Sequence, residues 1–317
     1  MSIWNGRRRL YSIRYSLILN LVFGMIMAIT SCQGQSSNSS ASGLKVIATT
    51  SLIGDVVSNI GGDKISVEVL LPLGTDPHSF SPTPQDAAKI TDANIVFANG
   101  VGLEEFLKPL MDNLGGSSNV VEVSDGIKYR TIVDEGSRSK QLVDDPHTWM
   151  DPNNVIIWVD NIVRVLSEQD PINATYYQKN GQSYQAKLRE LDSWIRSEVF
   201  ILPEQERKLV TDHLVFGYFS DRYGFSQVGA IIPGFSSLAE PSAQDIAQLE
   251  DAIKTMGVKA IFINIGVNAN IAQRISEDTG TRLVSLYMHS LSDTGGAADN
   301  YLDFMRYDVT SIVKALK

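Results

Sequence analysis

Residues 173–199 read NATYYQKNGQSYQAKLRELDSWIRSEV. Large apolar residues recur in this stretch at helical spacing, at Tyr176, Tyr177, Tyr184, Leu188, Leu191, Trp194 and Ile195. A helix of about 25 residues would be about 38 Å long, enough to run the length of two stacked domains. We therefore predict a rigid connecting helix over residues 172–202, with an N-terminal lobe over residues 45–171 and a C-terminal lobe over residues 203–317.

Strand and helix patterns alternate through the N-terminal lobe. Short apolar runs predict strands at residues 45–49, 67–71, 95–98 and 120–123. Helical spacing predicts helices at residues 51–62, 84–93, 102–114 and 152–168, the first capped by Ser51 and the last opened by Pro152. Residues 124–144 are rich in charge and lack periodicity, which indicates a surface loop.

The same alternation resumes in the C-terminal lobe. Strands are predicted at residues 209–211, 226–232, 260–264 and 282–286, with helices beginning near His213, Ser242, Asn268 and Ala298. Such alternation favours parallel sheets covered by helices. The predicted fold is therefore α/β, with two parallel-sheet α/β lobes joined by one long helix.

The N-terminal segment has the features of a targeting signal. Residues 1–31 contain four arginines, at positions 7, 8, 9 and 14, followed by an apolar run over residues 17–29. This run is shorter than a typical membrane-spanning helix. The run ends in ITSC at residues 29–32, which resembles the lipobox of bacterial lipoproteins. We therefore expect residues 1–31 to be a signal peptide and Cys32, the only cysteine in the chain, to be a lipid anchor. Residues 32–44 would form a flexible tether that holds the protein outside the cytoplasm, at the membrane.

The charge of the chain limits its partners. The net charge is -9, and because residues 1–31 contribute four arginines and no acidic residue, the remainder carries -13. Such an excess of negative charge disfavours nucleic acid and anionic lipid as partners and attracts cations weakly. An ordinary acidic soluble protein would have the same charge.

We expect the protein to be a monomer.

The four histidines of the chain occupy related positions. His78, His147 and His213 lie in the short motifs Asp76-Pro77-His78, Asp145-Pro146-His147 and Thr211-Asp212-His213. His289 follows the apolar run at residues 283–288, which is predicted to be the last buried strand of its sheet. Open α/β sheets gather ligand-binding groups where strands end. With two histidines in each lobe, we predict that all four bind one divalent metal ion in the cleft between the lobes.

The donor atoms favour zinc. Neutral imidazole nitrogens suit zinc, copper, iron and nickel, whereas manganese and magnesium prefer carboxylate and water oxygens. Zinc also accepts the tetrahedral arrangement of four converging side chains. We therefore expect one Zn²⁺ ion, with Mn²⁺ or Fe²⁺ as less favoured alternatives; copper(II) would bind imidazoles at least as strongly.

Carboxylates next to the histidines are candidates for a supporting role. A ligating imidazole usually donates its second N–H to a carboxylate or a carbonyl. Asp76, Asp145, Asp151 and Asp212 are placed to accept such hydrogen bonds. Aspartate is also the ordinary residue of turns and helix caps, so each of the four could serve that structural purpose instead.

Motifs along the whole chain resemble one protein family. They are VIATTSLIGDVV at residues 46–57, DPH at 76–78, DPHTWMDP at 145–152, DHLVFGYF at 212–219 and EPS at 240–242. Together they are similar to the metal-binding solute receptors of zinc and manganese ABC importers. The resemblance implies two α/β lobes joined by one long helix, one metal buried between them, and delivery of that metal to a membrane permease.

The resemblance also implies a ligand set. The first three family ligands fall on His78, His147 and His213. The fourth position, usually Asp or Glu in the family, falls on His289, with Asp293 as the alternative.

Two further classes of function compete with the metal receptor. A zinc-dependent hydrolase leaves one metal position open for water, whereas four protein ligands favour a carrier that is not an enzyme. A metal-stabilised adhesin lipoprotein is the third class, in which the ion only supports the fold.

Overall fold

The computed structural model describes residues 43–113, 119–133, 142–234, 237 and 240–317. The predicted signal peptide, the Cys32 anchor and most of the predicted tether lie outside these residues. Residues 43–317 form one compact unit. None of the helices in the described ranges combines the length and the apolar character needed to cross a bilayer.

The N-terminal lobe is built on a four-stranded parallel sheet. Its strands are β1 (Leu44–Ala48), β2 (Ile65–Val69), β3 (Ile95–Ala98) and β4 (Val120–Glu122), in the order β2-β1-β3-β4. Its helices are α1 (Ser51–Gly61), α2 (Pro84–Asp92), α3 (Leu107–Asn113) and α4 (Pro152–Gln169). A hairpin of β5 (Thr131–Val133) and β6 (Leu142–Asp144) follows the sheet.

The connecting helix and the second sheet complete the chain. Helix α5 spans Ala174–Phe200 and leads into a sheet of β7 (Lys208–Thr211), β8 (Ser226–Ala230), β9 (Ala260–Asn264) and β10 (Arg282–Leu286). The helices of this lobe are α6 (Gly217–Tyr223), α7 (Ala243–Met256), α8 (Asn270–Thr279) and α9 (Tyr301–Leu316). The order β10-β9-β7-β8 is parallel throughout and repeats the connectivity of the first sheet. The predicted fold class is therefore confirmed.

Helix α5 is anchored by a stripe of buried residues that recur every three or four positions, namely Tyr177, Gly181, Tyr184, Leu188, Leu191, Ile195 and Val199. This stripe packs on α4, α1 and α9, which belong to different lobes. One apolar core therefore runs from the first sheet through α5 into the second sheet. The exact lobe boundaries at residues 171 and 202 stay a prediction.

Several predicted elements are displaced in the structure. The predicted loop at residues 124–144 contains the β5–β6 hairpin, because three-residue strands are too short to show an alternating pattern. The predicted helix at 102–114 begins only at Leu107, after a turn at residues 100–102 in which every φ is positive. The helix expected near His213 begins at Gly217.

The first turn of α1 also differs from the prediction. Thr50 rather than Ser51 is the N-cap, and its Oγ1 accepts a hydrogen bond from the backbone N–H of Ile53 at 3.3 Å. The Ser51 hydroxyl instead accepts from the backbone N–H of Leu291 at 2.9 Å. The hydroxyl of Ser51, and not the capping Thr50, thus ties the N-terminal lobe to the loop after β10.

The strand before His289 is not the buried strand that was expected. Within the described residues β10 pairs with β9 alone, so it lies at an edge of the sheet. Arg282 and Ser285 are exposed and only Leu286 is buried. The prediction of a buried strand was wrong because the apolar run does not coincide with the strand: it continues through Tyr287 and Met288, beyond the end of β10 at Leu286.

The contact between α5 and α4 yields a stability prediction. A Cβ added at Gly181 would lie 2.5 Å from Val163 Cγ2 and 3.3 Å from Val159 Cγ1. We expect Gly181→Ala to lower the free energy of unfolding by roughly 1–3 kcal/mol, because overpacking outweighs the gain in helix propensity of about 1 kcal/mol. Thermal denaturation measures the change.

Ser183→Ala provides the matched control, since Ser183 is exposed on the same helix. It should raise the midpoint of unfolding slightly or leave it unchanged. A Gly181→Ala protein as stable as this control would show that the helices are not in close contact here.

Candidate metal centre

The four histidines lie in loops that follow strands. His213 comes two residues after the end of β7, and His289 three residues after the end of β10. His147 follows β6 and precedes a 3₁₀ turn at Thr148–Met150, while His78 lies in the loop between β2 and α2. The loops of His78, His213 and His289 leave the carboxyl ends of parallel strands, which lie at one edge of each sheet, whereas the loop of His147 leaves the antiparallel strand β6.

The structure brings all four imidazoles together. One ring nitrogen of each histidine lies within 4.8 Å of the corresponding nitrogens of the other three. The Nε2 atoms of His78 and His147 are 3.3 Å apart, and those of His213 and His289 are 3.0 Å apart. Each lobe therefore contributes one pair. His147, His213 and His289 are buried, and His78 is half-buried.

Asp293, the alternative for the fourth position, lies elsewhere. Its side chain is exposed and is not part of the histidine cluster. Asp293 belongs to a turn in which its carbonyl oxygen accepts from the backbone N–H of Gly296 at 2.9 Å. The structure thus places His289, and not Asp293, with the other three histidines.

Two of the predicted carboxylates hold imidazole rings. Asp145 Oδ1 lies 2.9 Å from His147 Nδ1, and Asp212 Oδ1 lies 2.7 Å from His213 Nδ1. With Nε2 facing the cluster, each Nδ1 carries the hydrogen and donates it to the carboxylate. This arrangement fixes the tautomer and orientation of the ring and makes Nε2 a better ligand.

Asp76 and Asp151 have different partners. Asp76 Oδ1 accepts from the backbone N–H of His78 at 2.9 Å, and its second oxygen accepts from Ser237 Oγ. Asp76 therefore shapes the turn and does not contact the imidazole ring through a hydrogen bond. Asp151 caps α4 and pairs with Arg222 at 2.7 Å, so it takes the structural role that its residue type also allows.

Large side chains enclose the cluster. The Trp149 ring lies 5.2 Å from that of His147 and 6.2 Å from that of His289, and its Nε1 donates to the carbonyl oxygen of Met288 at 2.8 Å. Tyr218 is also buried and donates to the carbonyl oxygen of Asp145 at 2.8 Å. Trp149 therefore packs directly against the cluster, whereas Tyr218 supports the backbone next to His147.

Arg130 is a functional candidate that the sequence did not reveal. Its Nη1 donates to Asp145 Oδ2 at 2.8 Å, behind the carboxylate that holds His147. Arg130 lies in the charged segment that was predicted to be a surface loop. The basic residue two positions earlier, Lys128, looks equivalent in sequence, so only the fold separates them.

Burial keeps most of the cluster uncharged. Burial, together with the neighbouring His213, lowers the pKa of His78 to about 4 and that of His289 to about 3. The same causes lower the pKa of His147 well below its usual value. Burial also disfavours a charge on His213, but the Asp212 carboxylate outweighs it and raises the pKa of His213. Burial therefore favours the neutral, metal-binding form of His78, His147 and His289, whereas the Asp212 carboxylate favours the protonated form of His213.

The whole-chain comparison agrees with this geometry. The family described as "Zinc-uptake complex component A periplasmic" matches residues 46–315. The chain belongs to this zinc-uptake component A family. Its members are substrate-binding proteins of metal ABC transporters and not enzymes, so the hydrolase alternative is wrong.

Curated members of the zinc-uptake component A family align over nearly the whole chain. The manganese-binding lipoprotein MntA of Halalkalibacterium halodurans is 32% identical over 297 residues, which cover 93% of this chain and 96% of MntA. The metal ABC transporter substrate-binding lipoprotein SloC of Streptococcus mutans is 33% identical over 280 residues, covering 86% and 90%. Both relatives are lipoproteins by name.

Solved structures share the fold. The periplasmic zinc binding protein TroA from Treponema pallidum superposes with a TM-score of 0.79 at 28% identity, over 86% of this chain and 99% of TroA. A periplasmic metal binding protein from Candidatus Liberibacter asiaticus, solved with manganese and with cadmium, gives a TM-score of 0.76 at 29% identity, over 86% of this chain and all of that one.

The protonation pattern yields a pH prediction. Burial raises the pKa of Asp145 to about 7, and the Asp212 carboxylate raises the pKa of His213, so both groups hold more proton near pH 6.5 than they would at their usual pKa values. We expect zinc binding at pH 6.5 to release about one to two protons. Calorimetry in buffers of different ionisation enthalpy counts them. Release of three or more would mean that the other histidines are charged in the metal-free protein.

The contact of Asp212 with His213 yields a second prediction. Asp212→Asn should weaken zinc binding by about 10-fold to 100-fold, because the amide is a poorer acceptor for the ring N–H. Asp293→Asn removes one carboxylate from the same lobe without touching the cluster and should leave the affinity unchanged. Competition titration with a fluorescent zinc chelator measures both variants. If both variants lost the same amount of zinc affinity, the cause would be the loss of a negative charge and not the loss of the hydrogen bond from His213 to Asp212.

Proposed function

We propose that this protein is a zinc receptor that captures one Zn²⁺ ion with His78, His147, His213 and His289 and delivers it to the membrane permease of an ABC importer. The observation that supports this most strongly is the convergence of four imidazole nitrogens within 4.8 Å, three of them from buried side chains. Four donors of one kind, two from each lobe, suit a tetrahedral ion held between the lobes.

The choice of zinc rests on the donor atoms. Within the part of the chain that the structure describes, the cluster contains imidazole nitrogens and no carboxylate oxygen, and manganese prefers oxygen donors. The carboxylates of Asp145 and Asp212 are engaged with the far side of two imidazole rings, which keeps them from serving as ligands. Iron(II) accepts imidazole as well, so its exclusion would depend on metal supply and geometry.

Manganese is the second candidate, and the names of relatives favour it. MntA of Halalkalibacterium halodurans and the PsaA lipoproteins of streptococci are described as manganese proteins, at 32% and 30% identity. TroA is described as zinc binding at 28% identity. Identities at this level leave the ligand set free to differ between relatives, so we base the choice of metal on the donor atoms of the cluster.

Retention near the membrane completes the proposed role. We place the mature protein outside the cytoplasm, anchored through a lipid on Cys32 and tethered by residues 33–43. A receptor held at the membrane surface remains close to its permease without losing freedom of orientation. Because α5 packs against both lobes, release of the metal should proceed by local rearrangement of the histidine loops instead of wide opening of the lobes.

A single substitution tests the zinc assignment. His289→Asp replaces one nitrogen donor by an oxygen donor, and we expect it to shift the ratio of manganese to zinc affinity towards manganese by about tenfold or more, equivalent to about 1.4 kcal/mol. Thr294→Asp adds the same charge at an exposed site of the same loop and should leave the ratio unchanged. Native mass spectrometry with both metals present reads the ratio directly.

Three outcomes are informative. Preferential loading of the wild-type protein with zinc, reversed or weakened only by His289→Asp, supports the proposal. Preferential loading with manganese rejects zinc as the cargo. A metal that chelators cannot remove without unfolding the protein would support the adhesin-like alternative, in which the ion stabilises the fold.

A further inference from the structure

Arg130 lies between the two lobes, directly behind the carboxylate that holds His147. Its Nη1 donates to Asp145 Oδ2 at 2.8 Å, and its Nε donates to Asp221 Oδ2 at 2.6 Å. Asp145 belongs to the N-terminal lobe and is fully buried, whereas Asp221 lies on α6 of the C-terminal lobe and its side chain is 65% exposed. One guanidinium therefore bridges both lobes.

Helix α6 makes further contacts with the same two residues. The Tyr218 hydroxyl donates to the carbonyl oxygen of Asp145 at 2.8 Å and accepts from the backbone N–H of Arg130 at 3.1 Å. A Cβ on Gly217 would collide with Arg130 Nη1 and Asp145 Oδ2. The first two residues of α6 thus pack directly on the ion pair.

The sequence position of α6 links this packing to the other half of the cluster. Helix α6 begins four residues after His213, so its placement influences the loop that carries this ligand. A continuous chain of contacts runs from His147 through Asp145 and Arg130 to α6. From α6 it returns through the short connecting segment to His213.

We propose that Arg130 is a positioning residue for metal binding, which orients Asp145 behind His147 and fixes the distance between the His147 and His213 halves of the centre. This inference rests on the proposed function, since it assigns to Arg130 a part in binding the same metal. Arg130 would not contact the metal itself.

The chemistry of the guanidinium suits this task. It is planar, always charged, and presents several N–H donors in a rigid fork, so it can hold two carboxylates in a defined geometry. Lysine offers one compact charge and would satisfy one carboxylate at a time. The ion pair of Arg130 with Asp145 is buried and should contribute most of the effect on zinc affinity. The ion pair with Asp221 is exposed, and exposed ion pairs contribute little.

Arg222 provides a matched control within the same helix. It pairs with Asp151 at 2.7 Å and therefore also joins α6 to the N-terminal lobe. Asp151 caps α4 and has no hydrogen bond to a histidine. Removal of Arg222 thus breaks an ion pair between the lobes without disturbing the support of a metal ligand.

The test compares zinc affinity and stability in the full-length protein. We expect Arg130→Gln to weaken zinc binding by about tenfold, as measured by chelator competition, by analogy with the loss of outer-shell partners. Arg222→Gln should lower the melting temperature of the metal-free protein to a similar extent but keep the wild-type zinc affinity. Arg130→Lys should recover only part of the affinity that Arg130→Gln loses.

Two variants separate positioning from a general loss of charge. Gly217→Ala keeps every charge but forces Arg130 away from Asp145, and it should weaken zinc binding in the same direction as Arg130→Gln. Because Arg130 acts through Asp145, adding Arg130→Gln to Asp145→Asn should cause little further loss of affinity. In ¹⁵N spectra of the histidine side chains, the Nδ1 resonance of His147 should shift in Arg130→Gln and not in Arg222→Gln.

The outcomes distinguish this inference from the proposed function. If His147→Ala abolishes zinc binding but Arg130→Gln and Gly217→Ala bind like the wild type, the positioning role is wrong and the receptor assignment stands. If Arg222→Gln weakens zinc binding as much as Arg130→Gln, the role is general cohesion between the lobes, and the inference is overturned. If His147→Ala itself retains wild-type affinity, the proposed function fails.

Discussion

Four imidazoles within 4.8 Å of one another cannot all be charged, and the rest of the structure accommodates this constraint. Burial lowers the pKa of His78, His147 and His289, while the Asp212 carboxylate raises the pKa of His213. In the unfolded chain the same side chains would titrate near their usual pKa of about 6.5. The three histidines with lowered pKa therefore make the metal-free fold less stable as pH falls below about 6.5, because the unfolded state binds more protons there. The raised pKa of His213 has the opposite effect and makes the metal-free fold more stable as pH falls.

A bound divalent cation takes the place of protons on the four imidazoles. It needs neutral rings, and it supplies the positive charge that the buried carboxylates lack.

The fold meets this constraint through repetition and a shared core. Each lobe has a parallel sheet with the same connectivity, so each presents a set of loops at the carboxyl edge of its strands. Helix α5 packs on α4, α1 and α9, and the core continues from one sheet to the other. A hinge would have to break this core. The loop after β10, which carries His289, is tied to the N-terminal lobe by the hydrogen bond from the backbone N–H of Leu291 to Ser51 Oγ.

Much of the fold, and the approach of the four histidines, could be predicted from the pattern of apolar and polar residues along the sequence. The connecting helix begins at Ala174, two residues from the predicted start, and the strands at Ile95–Ala98, Ala260–Asn264 and Arg282–Leu286 have the predicted bounds. The approach of the four histidines followed from their positions after strands. What local pattern could not supply are contacts between residues distant in sequence. Arg130 and Asp221 are 91 residues apart, and nothing near either one indicates their pairing. The choice between His289 and Asp293 likewise depends on the turn after β10, and the edge position of β10 depends on the order of strands in the sheet.

In the proposed centre, imidazole nitrogens from both lobes bind a single zinc ion. Crystals grown with zinc and manganese in equal amounts and measured on both sides of each absorption edge distinguish the two metals. We expect one anomalous peak, at the zinc edge, with the Nε2 atoms of His78, His147, His213 and His289 at about 2.0–2.1 Å. A peak at the manganese edge instead, or a peak bound by carboxylate oxygens away from these four rings, would contradict it.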